Sequence, residues 1–176
     1  MLTQLIPPLS PARAALLGGL VVGTLDIGEV IVFYAMRGVP PERVLQAVAS
    51  GILGSGGAFR GGAPAGLLGL ALHFFIAFTV VAVYQLASRA LPGLARAPLA
   101  WGTLYGLAVY VVMSYAVVPL SAAATGTPPL AATINGIVIH VLGIGIPSAL
   151  FAGAAHRWRM RQRPVVRPRP AAFAPL

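Results

Sequence analysis

Four apolar stretches, roughly 14–36, 63–88, 98–120 and 131–155, take up most of this chain. Each reaches the length of about 20 mostly apolar residues that a bilayer-crossing helix needs. Their length, and the lack of sustained apolar–polar alternation, points to helices rather than barrel strands. Composition agrees: 58% of the 176 residues are hydrophobic and only 9% are charged, against about 25% charged in soluble domains. A chain so poor in charge cannot cover a water-facing surface, so lipid must be much of its solvent. The expected fold is an all-α integral membrane protein: a four-transmembrane-helix bundle over 1–156, with a short outer interfacial helix near 41–53 and a basic cytoplasmic tail over 157–176.

The punctuation fits these boundaries. Pro64 and Pro98 fall in the first turns of spans two and three, where a missing amide costs little. Pro119 closes span three, and Pro128 and Pro129 precede span four. Pro147 removes the amide that would bond the Gly143 carbonyl, which predicts a kink in span four about two turns from His140. The N-terminus does not read as a secretory signal, because Pro7, Pro8 and Pro11 precede Arg13 and the apolar run that follows carries two acids. Span one is therefore expected to be retained.

The net charge of +9 comes from twelve arginines and no lysine. Arg13, Arg89, Arg96 and the arginines of the tail lie on one side of the predicted membrane; Arg37, Arg43 and Arg60 lie on the other. The positive-inside rule then places both termini and the 89–97 loop in the cytoplasm. Arg157, Arg159, Arg161 and Arg163, interleaved with Trp158, are expected to meet anionic lipid headgroups; nothing in the pattern calls for nucleic acid. The tail over 157–176, with its Pro-rich end 164–176, reads as disordered.

Only three residues are acidic, and two of them, Asp26 and Glu29, sit inside span one. An ionisable group within a span is costly and marks a functional-site candidate. Spans two and four each add one histidine, His73 and His140. With a rise of about 1.5 Å per residue, all four fall near mid-membrane. Glycines four apart line the same helix faces: Gly69 leads to His73, Gly136 to His140, and Gly23 to Asp26 and Glu29. Such small residues let helices approach closely, so these faces should point into the bundle. The parallel between Gly69–His73 and Gly136–His140 is also a faint internal repeat.

Three readings of the set stand side by side. Asp26, Glu29, His73 and His140 can form a site that handles protons, a cation or a small solute, with Tyr110 and Asn135 as supporting polar groups. His73 and His140 can hold a transition metal or a bis-histidine haem, although no Glu-x-x-His motif occurs. Or the four can be structural, each satisfied by a neighbouring helix. Thr24, Tyr84, Ser114 and Tyr115 are further candidate hydrogen-bond partners. With no cysteine, thiolate metal sites and cysteine nucleophiles are excluded. There is no nucleophile elbow or phosphate loop, so a transport, binding or assembly role is expected before an enzymatic one. The chain could act alone, as a homo-oligomer, or as an accessory subunit of a larger membrane complex.

In the long loop between spans one and two, Val44, Leu45, Val48 and Ile52 share one face of the predicted 41–53 helix. That helix would lie on the interface or dip in as a re-entrant segment. The glycine-rich run Gly54–Gly62 reads as a flexible hinge, serving either as part of a lid over the polar cluster or as a tether.

Several stretches in order resemble a group of uncharacterised bacterial inner-membrane proteins that includes the YagU-like family. They are Leu72-His73-Phe74-Phe75 running to Tyr84 and Leu91-Pro92, then Trp101-Gly102 with Gly106, Val118-Pro119 with Pro128, and Gly136 to His140 before a basic end. The resemblance covers spans two to four. It implies a multi-pass protein of the bacterial inner membrane and draws attention to His73 and His140. It implies no substrate.

Overall fold

Prolines set where the long helices start. In the computed structural model, which describes residues 5–124 and 126–162, Pro11 opens helix α1 (Pro11–Ala35), with the Ser10 hydroxyl accepting from the Arg13 amide at 3.4 Å. Pro41 opens α2 (Pro41–Arg60). There follow α3 (Gly62–Ala90), the single turn α4 (Gly93–Arg96), α5 (Pro98–Leu120) and α6 (Leu130–Arg161). No strand occurs among the described residues. Four of the helices, α1, α3, α5 and α6, are long and apolar enough to cross a membrane. Their outer faces carry exposed leucines, among them Leu20, Leu67, Leu104 and Leu142. An apolar surface of that extent suits a lipid neighbour.

Helices α1, α3 and α6 all pack against one another, α5 packs on α6, and α2 packs on α3. Glycines make most of these approaches. A methyl group on Gly19 would collide with the Phe78 ring, and one on Gly23 with Phe74. Gly69 meets the Leu45 backbone of α2, while Gly102 and Gly106 meet the α6 backbone at Ile146 and His140. Between them lies the core of Val22, Ala77, Val81, Val109 and Ile144. A second cluster, built on Tyr84, Ala149 and Ala152, closes the end where α1 begins and α6 ends. There Tyr84 donates to the Leu94 carbonyl at 2.9 Å and the Leu9 amide to Ala154 at 3.4 Å.

Two helices contain a widened π turn, Met113–Val117 in α5 and His140–Gly145 in α6. Each ends two residues before a proline, Pro119 and Pro147. The missing proline amide breaks the regular ladder, and the turn expands to compensate. The distortion in α6 therefore begins at His140 itself, closer than the two turns expected from sequence.

Two further expectations are corrected. Residues 54–60 are helical rather than a flexible hinge: α2 continues to Arg60 around a bend at Gly54, whose φ of 65° and ψ of 159° only glycine adopts readily. The break then falls at Gly61–Gly62, where Gly62 has φ 55°. At the other end α6 runs on to Arg161, so Arg157, Arg159 and Arg161 stand on a helix and not in a disordered tail. Arginine and alanine are good helix formers, and no glycine or proline intervenes between Gly153 and Pro164. Arg163 and the Pro-rich stretch 164–176 lie outside the described residues.

Candidate functional site

Asp26 and Glu29 are three residues apart on α1, which separates them by about 60° around the helix axis. That angle sends them to different neighbours. Asp26 faces α3, where its Oδ2 lies 3.9 Å from Nδ1 of His73. Glu29 instead accepts a hydrogen bond from Asn135 Nδ2 of α6 at 3.0 Å.

His73 is buried and bonds across the helix pair: its Nε2 lies 2.9 Å from the Gly23 carbonyl. A carbonyl only accepts, so Nε2 carries the proton. In the neutral ring, Nδ1 is then an acceptor turned toward Asp26. The 3.9 Å gap is too long for a hydrogen bond, and the ion pair forms only if Nδ1 takes up a proton. His140 is arranged the other way round. Its Nδ1 donates to the Gly136 carbonyl one turn back, at 2.8 Å, which leaves Nε2 as the acceptor of the neutral ring. The Tyr110 ring meets His140 edge-on at 5.4 Å and also covers Gly136, so Tyr110 braces the histidine. Both histidines lie within electrostatic range of Asp26. The second carboxylate oxygen, Oδ1, is buried and has no protein partner.

These groups line a single cavity of about 790 Å³. Asp26, His73, His140 and Asn135 all contribute to it, and its remaining wall is largely aliphatic. Glu29 and Tyr110 stand behind the wall. Val44, Val48 and Ile52 of α2 form part of the lining, while Leu45 of the same predicted face turns to α3 and packs near Gly66 and Gly69. So α2 covers the cavity and packs on α3. Among the other candidate partners, Ser114 lines the cavity, Tyr84 bonds near the terminal end, and Tyr115 is 74% exposed.

Sequence reasoning missed the mouth of the cavity. Arg43 lines it, donating to the Phe59 carbonyl at 3.0 Å and to Gln46 Oε1 at 3.3 Å. Buried Gln46 in turn donates to Glu42 at 2.9 Å and to the Gly62 carbonyl at 3.1 Å. This network ties the two arms of bent α2 together and to the start of α3. Its one sequence signal was the Glu42–Gln46 spacing of a single helical turn.

Among the described residues, no group of three or more His, Cys, Asp or Glu is placed to hold a metal ion. What the arrangement offers is acceptors: the Asp26 carboxylate and one free nitrogen on each histidine. Such a set can take up and release protons, or hold a cation that carries N–H donors. No family model, curated protein or solved structure matches this chain.

Proposed function

We propose that the chain is a multi-pass membrane protein that handles protons or a small cationic solute in the cavity enclosed by α1, α2, α3, α5 and α6. Asp26 carries the charge, and His73 and His140 exchange protons or accept hydrogen bonds from the solute. The observation that carries this reading is Asp26 Oδ1: a buried carboxylate oxygen with no protein partner, beside two histidines whose donors are already spent on backbone carbonyls. A buried polar atom left unpaired costs on the order of 1–3 kcal/mol, and a bound proton or ammonium group would recover that. The cavity volume falls within the range of small-molecule sites.

The arginines support an orientation. Arg13, Arg89, Arg96, Arg157, Arg159 and Arg161 gather at the end where α1 begins and α6 ends, and Arg37, Arg43 and Arg60 at the α2 end. By the positive-inside rule the termini face the cytoplasm and α2 faces the far side of a bacterial inner membrane.

The test is proton flux in proteoliposomes loaded with a pH-sensitive dye, after an acid jump and with a series of small alkylammonium ions outside. Flux is expected with the native chain and is expected to vanish with Asp26→Asn. Equal flux in the two would remove Asp26 from the mechanism.

A further inference from the structure

Where α1 begins and α6 ends, the bundle concentrates positive charge that no Asp or Glu side chain neutralises. Its three acidic residues are Asp26, Glu29 and Glu42. Asp26 faces His73 in the central cavity, Glu29 is bonded by Asn135, and Glu42 bonds Gln46 at the α2 end. Arg89 and Arg159, from α3 and α6, lie within electrostatic range of each other with no Asp or Glu side chain at that end. Two guanidinium groups brought together without a counter-charge repel, and an anion placed between them relieves that repulsion. Arg159 shows the deficit directly: its Nη1 is buried and has no hydrogen-bond partner. Arg157, by contrast, is already engaged by the Ile6 carbonyl.

Beside Arg89 runs a groove of about 390 Å³ between α1 and α3. Its walls are Ala12, Ala15, Ala82 and Leu86, with Gln85 and Arg89 at the polar edge. Gln85 spends its amide donor on the Pro11 carbonyl at 2.8 Å and leaves a buried Oε1 without a partner. So an apolar trough, an unpaired acceptor and Arg89 meet at one place on the side of the bundle, with Arg159 within electrostatic range of Arg89. Free phosphate would answer the arginines but leave the trough empty; a zwitterionic lipid would fill the trough but bring its own cation.

We infer that this is a binding site for one anionic glycerophospholipid, with the phosphate held between Arg89 and Arg159, a headgroup hydroxyl on Gln85, and an acyl chain in the α1–α3 groove. It is separate from the central cavity and does not depend on its function. It also shifts the expected lipid contact away from a string of tail arginines toward a site shared by two helices.

The experiment is native mass spectrometry of the full chain released from nanodiscs of phosphatidylglycerol or phosphatidylcholine, with retained lipid counted. One phosphatidylglycerol should stay bound, preferred over phosphatidylcholine by roughly thirtyfold, given about 1 kcal/mol from each of the two arginines. That preference should be lost in R89Q/R159Q and kept in the charge-matched R96Q/R161Q. Ala12→Phe, which fills the groove while sparing both arginines, should also lose the lipid, and it decides the matter if the double variant misfolds. Equal retention of the two lipids, equal loss in the charge-matched control, or equivalent binding of inorganic phosphate would each overturn the site.

Discussion

The ring of His73 joins α3 to α1, with Nε2 bonded to the Gly23 carbonyl at 2.9 Å and Nδ1 standing 3.9 Å from Asp26 Oδ2. The first contact is possible because Gly23 has no side chain to hold the helices apart. The second places an empty acceptor opposite a carboxylate. A proton arriving there creates an ion pair without any movement of the helices, so the protonation state of the pair can change while the bundle stays closed.

That geometry assigns opposite tautomers to the two histidines. Neutral His73 should carry its proton on Nε2, and neutral His140 on Nδ1, where it donates to Gly136 at 2.8 Å. Histidine nitrogen chemical shifts measured on labelled protein in lipid distinguish the two forms. Finding the same tautomer at both positions would mean that one of the backbone bonds is not made.

Replacing His73 should cost stability as well as function. His73→Ala leaves a void between α1 and α3 and removes a buried donor, a loss of about 2–5 kcal/mol by analogy with other large-to-small core changes. His73→Gln keeps a donor of similar reach and should cost less. Thermal unfolding in mild detergent ranks the two; a larger loss for glutamine would argue against the Gly23 bond.

Much of this was legible in the sequence, and the parts that were not share a physical cause. Run length and proline punctuation located α1, α3, α5 and α6, because hydrophobic length and a missing amide act locally. Asp26, His73 and His140, on the glycine-bearing faces, line one cavity. Spacing could not say that Glu29 would leave the cluster for Asn135, since the two lie more than a hundred residues apart and only helix order joins them. The bent second arm of α2 was read as a hinge, because Gly56, Gly57 and Gly61 lower helix propensity. Contacts that no local rule contains, such as Arg43 with Phe59, hold it helical. The repeat linking Gly69–His73 to Gly136–His140 has no counterpart in contacts: His73 bonds across helices, His140 within its own.

The α5–α6 seam should tolerate no side chain at Gly106. A methyl group there would press on the carbonyl of His140, a backbone atom that can move only with the whole π turn. Gly106→Ala is expected to destabilise by about 1–3 kcal/mol and to shift the His140 resonances more than those of His73. Gly93→Ala, in open space, serves as the control and should be close to neutral.

Glu29 and Asn135 should be energetically coupled. The bond between them spans α1 and α6, and each side chain is part-buried. A double-mutant cycle of Glu29→Ala and Asn135→Ala is expected to give an interaction energy of about 0.5–3 kcal/mol. Because Glu29 stands outside the cavity wall, Glu29→Gln should reduce proton flux far less than Asp26→Asn. Equal losses would place Glu29 on the proton path.

The bend at Gly54 folds the second arm of α2 back so that Phe59 lines the cavity beside Arg43. Its backbone conformation, φ 65° and ψ 159°, carries a penalty of about 1–3 kcal/mol for any residue with a side chain. Gly54→Ala should therefore favour a straighter α2. Straightening swings Phe59 away from Arg43, breaks the 3.0 Å bond between them, and loosens the wall formed by Val44, Val48 and Ile52. The natural chain has no cysteine, so a single Val48→Cys reports access to the cavity without background. Its labelling by a membrane-impermeant maleimide is expected to be slow in the native backbone and several-fold faster with Gly54→Ala added. Unchanged labelling, together with a lowered unfolding temperature, would show that the bend serves packing alone and that α2 does not govern entry.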